Sequence, residues 1–320
     1  MNMAELDAQS KALWQMQVQG NLEKVGSAGV AGQRQDFRDI ALALARPSLD
    51  VARWEDRRIP GRGVQVPIRL YWPASAPGRR LPAIVYAHGG GYVIGDLDTH
   101  DAIMREICVR AGVVVCAVDY RLAPENKFPA ALDDVCAAIR WLRAESAALG
   151  VDPDKVGVAG ESAGGNIAAV TALAARNDPS ITLAAQFLIY PHTCALSDFT
   201  TPSRRELGDD GGYIPTRRQI EDVIVHYTRE AADRRNPLVS PMLQEDFTGV
   251  APALVLTAGY DPLRDEGRLY ADRLATHGIA VEYRCLETTI HGFLNFGKVL
   301  DVSEEAFAII VASARRLLGG

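Results

Sequence analysis

The stretch Gly160-Glu161-Ser162-Ala163-Gly164-Gly165 sets a serine between small residues, directly after the apolar run 156–159 and directly before a helix-forming run. A G-x-S-x-G in a strand–turn–helix context is a nucleophile elbow: the turn is so tight that only small residues fit beside the serine, whose hydroxyl stands at the end of a sheet. The same residues also read as a helix N-cap after a glycine turn. Chemistry therefore requires partners, because a serine hydroxyl attacks only when a base takes its proton and an acid orients that base.

In this class of elbow the partners follow in the order serine, acid, histidine. His192 and His226 fall in a region of irregular pattern, which leaves His277 and His291. His277, in Thr276-His277-Gly278, stands at a helix end, where histidines satisfy terminal carbonyls. His291, in Ile290-His291-Gly292-Phe293, follows a strand and suits a base. For the acid, Asp261 in Tyr260-Asp261-Pro262-Leu263 follows the run 253–257 and opens a helix; capping alone would also account for it. Asp265 and Glu266 are expected on that helix's solvated first turn.

A second glycine cluster, His88-Gly89-Gly90-Gly91, follows the apolar run 83–87. Bare backbone there serves an oxyanion hole, with the N–H groups of Gly90 and Gly91 joined by that of Ala163. His88 is expected to orient the loop by hydrogen bonding. Other glycine-loop chemistries fail on spacing: Ile94 stands where G-x-G-x-x-G needs its last glycine, and no G-K-[ST] follows. No H-E-x-x-H is present, and His226 with Glu230 supplies only two ligands, so these two read as a solvated helix face and no metal is expected. Tyr92, Tyr190 and Phe293 neighbour the motifs and are acyl-pocket candidates, equally explained as core or lid packing. Asp119, Glu125 and Asp133 read as structural partners.

The elements that must position these residues alternate. Strands are expected at 66–71, 83–87, 113–118, 156–159, 183–190, 253–257 and 281–285, and helices at 99–110, 129–149, 163–176, 264–277 and 303–318. Several strands are continuously apolar, as in a mostly parallel sheet covered on both faces, so the class is α/β. Between residues 191 and 252 the alternation stops, apart from a helical stretch at 216–229. This insertion is expected above the sheet as a lid, packed with an N-terminal segment that is helical at 3–18, by the spacing of Leu6, Leu13, Trp14 and Val18, and then turns polar. The division is 1–50 N-terminal cap segment, 51–190 first part of the core, 191–250 cap insertion and 251–320 second part of the core.

With 320 residues, 48% hydrophobic and 23% charged, the chain can bury a large core. A net charge of −6 disfavours nucleic acid as a partner. No apolar run approaches the roughly 18 residues of a membrane span. Glu5 and Asp7 stand where a signal peptide would be basic and then apolar, so a cytoplasmic location is expected. The five cysteines have no pairing pattern and read as reduced thiols.

Taken together, His88-Gly89-Gly90-Gly91, Asp119-Tyr120-Arg121-Leu122-Ala123-Pro124-Glu125, Phe128-Pro129-Ala130-Ala131, Gly160-Glu161-Ser162-Ala163-Gly164-Gly165, Tyr260-Asp261-Pro262-Leu263-Arg264-Asp265-Glu266-Gly267 and His291-Gly292-Phe293 resemble the hormone-sensitive-lipase-like branch of the α/β-hydrolases, in that family's order, over about residues 80 to 295. One departure is Glu161, where this branch most often has aspartate. The resemblance implies the α/β-hydrolase fold with a helical cap and a triad of Ser162, Asp261 and His291. It also implies an oxyanion hole of Gly90, Gly91 and Ala163, no cofactor, and a small-molecule ester as substrate. The expected activity is a serine carboxylesterase for short- to medium-chain acyl esters. An amidase or arylformamidase on the same triad is the alternative, and a ligand-binding protein on a hydrolase fold is the non-enzymatic one. A homodimer formed through an edge strand near 281–285 is a further expectation.

Overall fold

The computed structural model describes residues 5–19, 29–74 and 78–319. The first residues of the helix expected at 3–18, the side chain of Val18, and residues 20–28 of the N-terminal segment lie outside the described residues.

Among the described residues eight strands form one sheet: β1 (Arg53–Pro60), β2 (Gln65–Trp72), β3 (Leu81–Ala87), β4 (Val114–Val118), β5 (Val151–Glu161), β6 (Ala185–Ile189), β7 (Ala253–Tyr260) and β8 (Val281–Ile290). Their order across the sheet is β1-β2-β4-β3-β5-β6-β7-β8. β1 and β2 run antiparallel to their neighbours, and β3 to β8 run parallel. β3, β4 and β6 are buried at every position, which is why their sequences, Gln186 of β6 apart, are apolar runs and not alternations.

Helices cover both faces. Ile84 and Tyr86 of β3 pack with Met104 and Ile107 of α3 (Asp101–Ala111) and with Phe307 and Ile310 of α9 (Val302–Leu318). Ala83, Val85 and Ala87 point to the other face, onto Val135 and Ile139 of α4 (Ala130–Ala144), Ile167 of α6 (Ala163–Ala175) and Leu274 of α8 (Arg264–Thr276). A single turn, α5 (Ser146–Leu149), leads into β5. The strand alternation of period two thus sorts one core into two layers.

Two elements were not foreseen. β1 (RWEDRRIP) buries only Ile59 and is a charged edge strand, so it carries no apolar signal. The polar stretch after residue 18 holds α2 (Gly29–Leu44), whose only fully buried residue is Ala41. The first helix, α1 (Ala8–Gln19), stacks Trp14 on Tyr213 at 4.8 Å.

Residues 191–250 divide by their contacts. Asn166 of α6 donates to the carbonyls of His192 (2.9 Å) and Val239 (3.0 Å), and Gln186 of β6 donates to that of Ala251, so both ends of the segment lie on the core. The middle carries α7 (Arg217–Tyr227), started by Thr216, which exchanges hydrogen bonds with Gln219 in a capping box. α7 ends at Tyr227, so Glu230 does not share a helix face with His226. Among the described residues no helix is long and apolar enough to cross a membrane.

Candidate active site

Ser162 stands at the turn between β5 and α6 with φ 57° and ψ −119°, backbone that L-residues avoid at a cost of about 1–3 kcal/mol. The turn leaves no room for side chains. A Cβ on Gly160 would stand 2.3 Å from the Gly164 carbonyl oxygen, and one on Gly164 would stand 2.1 Å from that of Ala87, at the end of β3. Close approach of β3 to the elbow explains both glycines.

Two residues remote in sequence meet this serine. His291, one residue past β8, places Nε2 2.9 Å from Ser162 Oγ. Its Nδ1 lies 2.7 Å from Oδ2 of Asp261, one residue past β7. Asp261 is wholly buried, and its Oδ1 accepts the Leu263 N–H at 2.7 Å. Asp261 does not cap α8, whose N-cap is Leu263; one oxygen closes the turn that precedes the helix, and the other faces the imidazole. His277 is exposed and pairs Nδ1 with the Arg273 carbonyl at 2.8 Å, the helix-end role.

The loop after β3 is a tight turn in which the Gly90 carbonyl accepts from the N–H groups of Val93 and Ile94, both at 3.0 Å. Gly90 has φ +111°, and a Cβ there would stand 2.2 Å from the Ile94 oxygen. His88 is buried, stacks on Tyr120 at 4.4 Å, and sets Nδ1 2.7 Å from the Gly89 carbonyl, to which it must donate. Burial, with His100 adding to it, pushes the His88 imidazole down to about 4, so it is neutral. The expected orienting hydrogen bond is present.

A cavity of about 320 Å³ opens over Ser162, His291, Gly90 and Gly91. Tyr92 and Tyr190 line it; Phe293 does not. Phe293 is wholly buried and packs edge-on behind Tyr190 at 4.7 Å, so its place in the wall is taken by Phe296. Phe37 of α2 and Ile220 and Val223 of α7 form the roof. The polar sequence of α2 hid Phe37; its one signal was an aromatic in an otherwise charged stretch.

Glu125 pairs with Arg34 at 2.7 Å and Asp133 with Arg62 at 3.3 Å, in surface roles. Glu266 departs from expectation. It is buried, not solvated, because Arg204 folds back from the middle segment to donate to Oε2 at 2.7 Å while Thr193 N–H donates to Oε1 at 2.6 Å. Among the described residues no group of histidine, cysteine, aspartate or glutamate side chains is arranged to hold a metal ion.

Known proteins share this architecture. A family described as the α/β-hydrolase fold matches residues 84–295. The carboxylic ester hydrolase LipN of Mycobacterium tuberculosis is 40% identical over 272 residues, 83% of this chain and 70% of that protein. The ethyl acetate hydrolase of Pseudomonas putida is 38% identical over 262 residues, 80% of each chain. The hyperthermophilic esterase of the archaeon Pyrobaculum calidifontis superposes with a TM-score of 0.88 at 40% identity, over 98% of this chain and 99% of that one. With motifs, sheet order and these likenesses in agreement, the chain belongs to the α/β-hydrolase family, on its hormone-sensitive-lipase-like branch of ester hydrolases.

Proposed function

We propose that this protein is a serine carboxylesterase that hydrolyses short- to medium-chain acyl esters through Ser162, His291 and Asp261. The observation that carries the reading is the unbroken line of contacts from Ser162 Oγ through His291 to Asp261, at 2.9 and 2.7 Å. His291 Nε2 takes the serine proton as Oγ attacks the ester carbonyl carbon, and the carbonyl electron pair moves onto its oxygen. Collapse of this intermediate breaks the bond to the alcohol oxygen, which leaves with the proton from Nε2. Water then gives its proton to Nε2, attacks the acyl-serine, and releases the acid by the same route. Asp261 keeps the Nδ1 proton in place and stabilises the imidazolium.

Backbone geometry supports the oxyanion role of Gly90, Gly91 and Ala163. In a trans peptide the C=O and the following N–H point opposite ways. The Gly89 carbonyl is taken by His88 and the Gly90 carbonyl by Val93 and Ile94, which turns the N–H groups of Gly90 and Gly91 away from these partners. Ala163 opens α6, where N–H groups lack helical acceptors. The cavity size suits a small ester, and the likeness to an ethyl acetate hydrolase agrees with a short acyl group. β8 ends the sheet, and a second copy of the chain would pair there.

The test is hydrolysis of p-nitrophenyl acetate, butyrate, octanoate and palmitate by wild type beside Ser162→Ala. Turnover should peak at the short chains and fall on the order of 10⁴ to 10⁶ in the variant. Turnover of anilides with none of esters would replace the reading by an amidase, and undiminished turnover in Ser162→Ala would remove the serine from the mechanism.

A further inference from the structure

We propose that Glu161, the residue before the elbow serine, is a positioning residue that locks the oxyanion loop to the nucleophile, with His100 as its partner. The inference rests on the ester-hydrolase reading above. Glu161 is wholly buried and the mechanism gives it no step, yet its carboxylate ties the loop of Gly89 to β3 and to the start of α3. Its Oε1 accepts the Gly89 N–H at 2.5 Å and lies 2.8 Å from His100 Nε2; its Oε2 accepts the Tyr86 hydroxyl at 2.7 Å. Burial alone would push this carboxyl up, but His100, Tyr86 and the Gly89 N–H outweigh it and hold Glu161 below the ordinary carboxylate range.

The position of Gly89 follows from this carboxylate. A Cβ on Gly89 would stand 2.5 Å from Glu161 Oε1 and 2.9 Å from the Glu161 carbonyl oxygen. Gly89 is thereby held at both ends, its N–H by Glu161 and its C=O by His88, whose ring lies 5.1 Å from that of His100. Glu161 is bonded to Ser162 on one side and clamps the loop carrying Gly90 on the other. One carboxylate therefore sets the distance between the attacking oxygen and the N–H groups that receive the oxyanion. Charged acceptors make hydrogen bonds about twice as strong as neutral ones, and breaking a buried charged contact leaves its partners unpaired.

The test uses Glu161→Gln, Glu161→Asp and His100→Gln. Measured are kcat and KM on p-nitrophenyl butyrate and the rate of inactivation by a p-nitrophenyl alkylphosphonate, with active sites counted from the nitrophenol released at completion. Glu161→Gln removes the charge, and its NH2 either takes the acceptor away from the Tyr86 hydroxyl or turns toward the Gly89 N–H. It should lower kcat per active site and the inactivation rate about 10- to 100-fold, with KM within about threefold. Glu161→Asp, which keeps the charge at shorter reach, should recover part of the loss, and His100→Gln should lose about 3- to 10-fold. Wild-type kcat per active site in Glu161→Gln overturns the clamp, as does a loss confined to the number of active sites. Should Glu161→Gln fail to fold, wild-type kcat per active site in His100→Gln overturns it alone. A wild type inert to both ester and phosphonate overturns the esterase reading instead.

Discussion

The floor and the roof of the cavity face each other across a few ångströms and are held in opposite ways. The floor is the elbow, the loop 88–95 and the turns bearing Asp261 and His291, where Glu161 and Asp261 are buried and glycines meet backbone oxygens at distances no side chain survives. The roof is α2, fixed mainly by arginines at the surface, and α7, which buries Ile220, Ile224 and Tyr227 on the core and leaves its arginines at the surface. Arg34 grips the carbonyls of Val93 (2.9 Å) and Ala123 (3.0 Å) and pairs with a Glu125 side chain that is 56% exposed. Arg38 holds Asp98 at 2.6 Å and Arg217 holds Asp209 at 2.9 Å, again with water at hand. Exposed pairs contribute about 0–1 kcal/mol each and can be exchanged singly. The chemistry is thus written into positions without freedom, and the share of the enclosure that α2 supplies into positions with a great deal of it.

The largest test of this contrast is Gly90→Ala. Its Cβ collides with the Ile94 carbonyl at a φ hostile to alanine, so kcat on p-nitrophenyl butyrate should fall about 10²- to 10³-fold with KM nearly constant. A variant with near wild-type kcat would mean that the floor yields as readily as the roof. A smaller effect is expected from Val223→Ala, which trims the roof where Val223 Cγ1 stands 2.7 Å from the Cβ position of Gly91. It should raise the ratio of kcat/KM for octanoate over butyrate by about fourfold per methylene newly housed. An unchanged ratio would place chain-length selection elsewhere.

The smallest effect concerns acid. His88 and His192 are buried, and burial, aided by His100 and Arg204 respectively, pushes them down to about 4 and about 3. Unfolded, they titrate near 6.5, at about the usual histidine value. Between these values the unfolded chain binds protons that the folded chain refuses, so stability falls as pH drops from about 6.5 toward 4. Asp119, pushed up to about 6 by burial, opposes this with the reverse sign. Calorimetry should show Tm falling by several degrees between pH 7 and 4.5, and a rise would contradict neutral histidines under the loop.

The same contrast decides what could be read in advance. The floor was legible because each of its constraints leaves a residue type behind: glycine where backbones touch, serine at the elbow, and aspartate and histidine just beyond the ends of β7 and β8. The parallel strands were legible because burial on both faces leaves unbroken apolar runs such as VVCAV. β1 was missed because a solvated edge strand is written in arginine and glutamate, and α2 because it sets little beyond Val30, Ala41 and Leu44 on the core over a mostly exposed helix. Glu266 was misplaced because its burial depends on Arg204, 62 residues away in sequence, which no local pattern reports. Phe293 stays open between wall and core in the sequence because adjacency to His291 says nothing of which side of Tyr190 the ring takes.

β8 has a single neighbour in the sheet, β7, and the pairing between them breaks register after Ala258 before closing again at Tyr260 and Ile290. His291 is carried on that outermost, interrupted border. Fraying of one edge, a sub-global opening far cheaper than melting the sheet, would carry this imidazole, the proposed base, away from a serine still held in its turn. Endurance of activity under heat or denaturant is then a property of what holds this one strand, β7 on one side and the start of α1 at its end, and a chain that looks folded by every bulk measure can already have stopped working.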